Sequence, residues 1–257
     1  MWHHLDVALV QQAASLDPGE NRRRLAELTP GGVDLVVFPE AFARDFGTAQ
    51  DGTDDVRPDA EPLDGPFGAE LARVAGARST MVLAGMFEAT DGLPYNTLVL
   101  TDGERREVYR KIHLYDSFGY RESDRLSAGE VRPVLTEVDG VPIGLLTCYD
   151  LRFPELARAL VEAGAEVLVV PAAWVAGERK VDHWRTLVRA RAIENTAYVV
   201  AVGQPAPRYC GHSLVVDPLG EVLVEGGDGP GVLTARLEGA RVAEARSVNP
   251  SLRNRRM

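Results

Sequence analysis

The chain has 257 residues, of which 45% are hydrophobic and 26% are charged, so it can bury a sizeable core as one large layered domain or two small ones. Its formal net charge of −10 does not favour general binding to nucleic-acid phosphates, and its two cysteines, Cys148 and Cys210, cannot form a disulfide framework. The first residues lack the pattern of a secretory signal, and Gly, Pro or charge soon interrupts every apolar run, so we expect a cytoplasmic protein without membrane spans.

The first half of the chain predicts strands that alternate with helices. In chain order, we predict a strand over residues 6–11, a helix over 21–28 after a turn at 17–19, a buried strand over 33–38, a helix over 67–77, and strands over 81–85, 95–101 and 105–109. The acidic segment 48–65 has turn residues but no apolar period, which indicates a surface loop.

Glu40 comes directly after the predicted buried strand 33–38. Open α/β sheets place ligand-binding groups at the carboxyl ends of such strands, so Glu40 is a candidate functional carboxylate. Taken alone, a surface Glu at the start of a loop is the simpler interpretation.

Lys111 follows the predicted hairpin of strands 95–101 and 105–109, which delivers it to a strand end. The connection that follows is rich in functional side chains and includes His113 and Glu122. Such a charged run is usually a solvated connection, and it matters for chemistry only if it folds over Cys148.

Cys148 follows a short apolar run, residues 143–147, which predicts a buried strand. Pro154 and apolar residues at helical spacing predict a helix that extends up to Gly164. Cys148 therefore lies in a sharp strand-to-helix turn, where a helix N-terminus would favour the thiolate. We expect iodoacetamide to alkylate it below the ordinary thiol pKa of about 8.5. The alternative is an inert core cysteine.

The second half continues the mixed pattern. We predict a strand over residues 166–170, a helix that Asp182 caps and that ends at 194, strands over 197–203, 212–217, 221–224 and 231–237, and a basic tail without periodicity. Mixed β-α-β units and hairpins favour a layered sheet architecture with helices outside.

A cysteine that attacks an amide needs a base for its proton and donors for the developing oxyanion. Glu40 can act as the base, Lys111 as a cationic donor, and the backbone N–H of Tyr149 as a second donor. All of them lie at the ends of predicted strands.

Three ordered motifs carry a family resemblance: FPEAF at Glu40, YRKIHLYD at Lys111 and TCYDLRFPE at Cys148 resemble the nitrilase, or carbon–nitrogen hydrolase, superfamily. RESD at Glu122, PAAW at Trp174, HWRTLVRARAIENTAYV, GHSLVVDPLGEVL and NPSLRNRR extend the resemblance over nearly the whole length. The resemblance thus implies a single domain over residues 1–257.

The resemblance implies Glu40 as general base, Lys111 as stabiliser of the tetrahedral intermediate, Cys148 as nucleophile, and Glu122 as a residue that positions Lys111 or the substrate. It also implies an α/β fold, a four-layer α-β-β-α sandwich with two mixed sheets between helical layers, often assembled as a homodimer or higher homo-oligomer. Neither a metal nor an organic cofactor is expected. Water would hydrolyse an acyl-thioester to release an acid and ammonia or an amine.

Within the superfamily, the chain is most similar to the amidase branch of ω-amidase and deaminated-glutathione amidase, although its connection from Lys111 to Glu122 is shorter. The expected substrate is a small carboxylate-bearing amide, with an N-carbamoyl compound or a nitrile as the alternative. The expected substrate-binding residues are Tyr149, Arg152, Trp174 and Phe42. Arg152 could equally pair with Glu155 or a helix end, and the aromatic residues could equally serve packing.

Two further interpretations belong to other classes. One is a catalytically silent homologue that serves as a binding module, which would not need a carboxylate, an ammonium and a thiol together. The other is a Cys–His hydrolase, which requires His113, His183 or His212 beside Cys148.

Overall fold

A computed structural model describes residues 2–49 and 52–256, and its framework is a set of strands and helices in mixed order. The strands are β1 (His4–Gln11), β2 (Leu35–Val37), β3 (Met81–Glu88), β4 (Tyr95–Thr101), β5 (Arg106–Arg110), β6 (Asp116–Ser117), β7 (Tyr120–Arg121), β8 (Leu135–Val138), β9 (Val141–Leu145), β10 (Val167–Ala172), β11 (Tyr198–Gly203), β12 (Leu214–Val216), β13 (Val222–Glu225) and β14 (Gly231–Glu238). The α-helices are α1 (Pro18–Leu28), α2 (Pro66–Arg78), α3 (Pro154–Glu162), α4 (Lys180–Asn195), α5 (Gly239–Val248) and α6 (Ser251–Asn254). Within the described ranges, no helix has the length and apolar character needed to cross a membrane.

The strands form two six-stranded mixed sheets and one small hairpin. The first sheet has the order β14-β1-β2-β3-β4-β5 and the second β13-β12-β11-β10-β9-β8, while β6 and β7 form a separate two-stranded hairpin. Three neighbouring strands in each sheet run parallel, β1-β2-β3 and β9-β10-β11, and antiparallel strands flank them on both sides.

Alternation along the strands places the two sheets between helical layers. In β1, Leu5 and Leu9 belong to the core cluster shared with the second sheet, whereas Ala8 belongs to the cluster that contains Leu25 of α1 and Leu71 of α2. Because successive side chains of a strand point to opposite faces, both faces of this sheet are covered. Helices α3 and α4 pack on the second sheet through apolar residues of the same shared cluster. The predicted α-β-β-α sandwich is confirmed.

The carboxyl ends of the central parallel strands bring the candidate residues together. Glu40 follows β2 of the first sheet, while Cys148 and Ala173 follow β9 and β10 of the second. The Ala173 N–H donates to Glu40 Oε2 over 2.7 Å and so connects the two sheets at this edge.

Several element boundaries differ from the sequence-based prediction. Residues 17–19 do not form a separate turn, because Asp17 caps the Gly19 N–H and α1 begins at Pro18. Asp182, in contrast to the prediction, does not cap α4. This helix begins at Lys180, and Asp182 lies in its first turn. Strand β8 and helix α5 were not predicted, and the basic tail contains the short α6.

The two predicted connections contain local structure. The segment 48–65 includes a 3-10 helix, Arg57–Asp59, and Gln50 and Asp51 lie outside the described residues. The connection between Lys111 and Glu122 contains the β6-β7 hairpin.

Candidate active site

Glu40 is 1% exposed, and a close approach between two backbones fixes its position. A Cβ on Gly85 of β3 would lie only 2.4 Å from Ala41 N and 2.9 Å from Glu40 Cα, so only glycine lets the chain after β2 lie against β3. Ala41 then turns the chain away with a φ of 56°. The Glu40 side chain is thereby directed between the sheets, where it reaches the Ala173 N–H.

Cys148 lies in the strand-to-helix turn that the sequence predicts. Its φ of 45° is in the left-handed region, and it begins a short 3-10 helix, Cys148–Arg152, directly after the chain leaves β9. The Asp150 carboxylate holds this turn, because Oδ2 accepts the Thr147 N–H over 2.9 Å and the Tyr109 hydroxyl over 2.6 Å. Cys148 is 8% exposed.

Lys111 connects the two glutamates. Its Nζ lies 2.9 Å from Glu40 Oε1 and 2.8 and 3.1 Å from the two oxygens of Glu122, and all three side chains are at most 2% exposed. Burial alone would lower the pKa of Lys111, but the Glu122 and Glu40 carboxylates outweigh it and raise that pKa well above its ordinary value. Lys111 is therefore a fixed ammonium between two carboxylates.

Asn96 is a member of this cluster that the sequence analysis missed. Its Nδ2 donates to Glu40 Oε1 over 2.8 Å and to Glu122 Oε1 over 3.1 Å, and the residue is 1% exposed. The sequence did contain an indication of this role, because Asn96 lies in the predicted strand that became β4. An amide side chain that is buried in a strand requires hydrogen-bond partners.

Replacing Asn96 with Ala is expected to lower the free energy of unfolding by about 1.5–3 kcal/mol, because two buried carboxylates lose a donor. Chemical denaturation measures the change, and the exposed Asn254→Ala provides a matched control that we expect to stay within about 0.5 kcal/mol of wild type. Equal stability of Asn96→Ala and the control would mean that Asn96 contributes nothing to holding the glutamates.

The expectation of a resting thiolate at Cys148 is wrong. Burial and the neighbouring Glu40 carboxylate raise the pKa of the Cys148 thiol well above its ordinary value, and Lys111 offsets only part of this. The long helix α3 begins at Pro154, so its N-terminus is not at Cys148. In the resting site Cys148 is a protonated thiol that must lose its proton in order to react.

A narrow pocket opens at Cys148. It contains four of the predicted residues together with four others, and its lining residues are Tyr115, Cys148, Tyr149, Arg152, Ala173, Trp174, Val175 and Lys180. Phe42 is not among them: it is fully buried between the first sheet and α1, where its ring packs 4.7 Å from that of Phe38. The expectation that Phe42 lines the site is therefore wrong.

Arg152 is held against the pocket wall by stacking. Its guanidinium carbon lies 4.7 Å from the centre of the Trp174 ring, and Trp174 Nε1 donates to the Lys180 carbonyl over 3.0 Å. Arg152 Nε and Nη2 are buried, and neither has a hydrogen-bond partner in residues 2–49 and 52–256. Arg152 thus pairs neither with Glu155 nor with a helix end.

The histidines do not support a Cys–His site. His113 Nδ1 lies 2.7 Å from Asp150 Oδ1 and its ring stacks on Phe153, while His212 lies between Glu225 and Asp228. No hydrogen bond of these two histidines or of His183 reaches Cys148 within the described part of the chain.

Comparison with known proteins agrees with the resemblance that the motifs indicate. The family model described as carbon-nitrogen hydrolase matches residues 6–247. A hydrolase of Mycobacterium tuberculosis is 39% identical over 271 residues, which cover 96% of this chain and 94% of that protein. The deaminated glutathione amidase of Escherichia coli O157:H7 is 42% identical over 236 residues, which cover 90% and 88%. The crystal structure of a CN-hydrolase superfamily protein from Xanthomonas campestris superposes with a TM-score of 0.89 at 30% identity, covering 100% of this chain and 98% of that one. The chain therefore belongs to the carbon–nitrogen hydrolase family, whose reaction is hydrolysis of a C–N bond.

Proposed function

We propose that the chain hydrolyses a small carboxylate-bearing amide through an acyl-thioester on Cys148. One observation carries the proposal: the Glu40 carboxylate accepts hydrogen bonds from Lys111 and from the Ala173 N–H, and it borders the protonated Cys148 thiol. A buried base, a fixed ammonium and a nucleophile beside one another fit acyl transfer better than a silent binding module.

The first half of the reaction transfers an acyl group to sulfur. Glu40 takes the proton of the Cys148 thiol as the sulfur attacks the amide carbon, and negative charge develops on the carbonyl oxygen. Lys111 Nζ and the Tyr149 backbone N–H stabilise that oxyanion. Glu40 then returns its proton to the leaving nitrogen, the C–N bond breaks, and ammonia or an amine departs.

The second half releases the acid. Glu40 accepts a proton from water as it attacks the thioester, and the C–S bond breaks to regenerate the Cys148 thiol and free the carboxylic acid. Glu122 acts as a positioning residue in both halves, because its two contacts hold Lys111 between the carboxylates.

The substrate class follows from the pocket. Arg152 is a cation on the pocket lining, where no Asp or Glu lies beside it, and this charge suits a carboxylate. The Escherichia coli relative is named deaminated glutathione amidase, which supports an amide of this class; ω-amides of α-keto dicarboxylates and N-carbamoyl amino acids are the alternatives.

Release of ammonia or of an amine from a panel of these amides tests the proposal. We expect release by the wild type and none above background from Cys148→Ala, because the acyl-thioester can no longer form. Cys210→Ala is the matched control: Cys210 is the other buried free cysteine, and burial raises its pKa to about 12, so its loss should leave turnover intact. Equal release by wild type and Cys148→Ala would exclude the thioester route, and no release from any amide would favour the binding-module alternative.

We also propose that the enzyme is one domain, works in the cytoplasm and assembles as a homodimer or higher homo-oligomer. The family match over residues 6–247 supports the single domain, and two free cysteines support a reducing compartment. Large exposed apolar side chains support assembly, namely Ile193, Leu219, Val222, Leu223 and Val248.

A further inference from the structure

The pocket beside Cys148 contains two cationic side chains, Arg152 and Lys180, and no Asp or Glu among its lining residues. Lys180 is the first residue of α4 and lines the pocket. Its Nζ has one described hydrogen bond, to the Tyr115 hydroxyl over 3.3 Å, which is neutral and long. Neither cation is therefore neutralised by a carboxylate that lines the pocket.

Two like charges in a partly desolvated pocket repel one another. Burial and the charge of Arg152 lower the pKa of Lys180. An anion placed between the two cations would offset this repulsion. The pocket is thus electrostatically suited to a negatively charged group.

The β6-β7 hairpin completes this arrangement. Phe118 at its tip has a φ of 54°, and the Lys180 ammonium lies 3.9 Å from the centre of its ring. The Arg152 guanidinium lies 5.9 Å from the same ring. Phe118 itself is 68% exposed. Its ring face holds both cations over the pocket by cation–π attraction.

We propose that Lys180 and Arg152 form a two-cation subsite that binds the substrate carboxylate, and that Phe118 positions Lys180 in it. The subsite would explain how the proposed amidase recognises the carboxylate of its substrate, and it rests on that proposed function. It gives the short connection between Lys111 and Glu122 a role, because the hairpin in that connection carries Phe118. The carboxylate belongs either to the acyl part of the amide or to its amine part.

Paired charged and neutral amides test the subsite. Succinamate carries its carboxylate in the acyl part and has butyramide as its neutral counterpart. N-propionylglycine carries its carboxylate in the amine part and has N-ethylpropionamide as its neutral counterpart. For Lys180→Met we expect KM to rise roughly 10- to 100-fold for a charged amide, with little change for its neutral counterpart. Whichever charged amide responds identifies the part that bears the carboxylate.

Two further variants isolate the effect. Arg179→Met removes the neighbouring, 76% exposed cation, and we expect wild-type KM values from it. Phe118→Ala keeps both charges, and we expect a smaller rise in KM for the charged amide only. Equal changes for charged and neutral amides, or equal behaviour of Lys180→Met and Arg179→Met, would overturn the subsite.

A binding measurement separates this inference from the amidase proposal. Succinate should slow alkylation of Cys148 by iodoacetamide in the wild type, and roughly 10-fold or more succinate should be needed in Lys180→Met. This readout requires no turnover. Absence of amide hydrolysis with intact protection would refute the amidase and keep the subsite, whereas hydrolysis without charge-dependent effects would refute the subsite alone.

Discussion

Replacing Glu40 with Gln is expected to stop amide turnover and at the same time to make Cys148 easier to alkylate. Turnover should fall by roughly 10²- to 10⁴-fold, because no other group takes the thiol proton during attack. Alkylation should accelerate near neutral pH, because the Glu40 carboxylate is one cause of the raised pKa of Cys148 while Lys111 lowers that pKa. In Glu40→Gln, the Lys111 ammonium still stabilises the thiolate, and the repulsion from the Glu40 carboxylate is gone.

The pH profile of iodoacetamide alkylation measures this directly. The reactive form is the thiolate, so the rate rises with pH towards the pKa of Cys148; in wild type the rise should lie above the ordinary thiol range, and in Glu40→Gln it should move to lower pH. Glu88→Gln is a matched control, since Glu88 is also buried but binds Thr97 and Arg110. Slower alkylation of Glu40→Gln would mean that Glu40 activates the resting thiol, contrary to the protonated state of the site.

The outcome for Cys148 shows which part of the site the sequence can predict. The turn itself is local: an apolar strand, a short polar stretch and Pro154 specify it, and the prediction was correct. The protonation state depends on Glu40, which comes from the other sheet, and on the depth of burial. The residues next to Cys148 in sequence indicate neither the contact with Glu40 nor the depth of burial. The helix start alone therefore predicted a thiolate.

The same distinction applies to the fold. Strands such as β3 and β10 were predicted because they are continuous apolar runs, whereas β8 at the edge of the second sheet has the mixed sequence LTEV and was missed. Phe42 was predicted to line the pocket as an aromatic residue at the end of a strand. Ala41, with its left-handed backbone, turns the chain between Glu40 and Phe42, so that Phe42 enters the outer core. Lys180 carried no sequence signal, because only the tertiary fold brings it to Arg152.

Replacing Lys111 with Met is expected to lower the free energy of unfolding by about 3–5 kcal/mol, because it leaves Glu40 and Glu122 buried together without their shared cation. Turnover should also fall by roughly 10²- to 10³-fold through loss of oxyanion stabilisation. Chemical denaturation and ammonia release give the two quantities. Lys180→Met is a matched control, since Lys180 is partly exposed and carries no salt bridge in the described residues, and its stability should change by less than about 1 kcal/mol.

A double-mutant cycle with Glu122→Gln separates charge from packing. If Lys111 mainly neutralises the carboxylates, then adding Glu122→Gln to Lys111→Met removes one of the two unpaired charges, and the double variant should be more stable than the sum of the single changes predicts. The coupling free energy should lie near 1–3 kcal/mol, as expected for side chains 2.8 Å apart in one network. Additivity within about 0.5 kcal/mol would mean that the cost of losing Lys111 comes from packing, and Glu122 would then lose its role as the residue that positions Lys111.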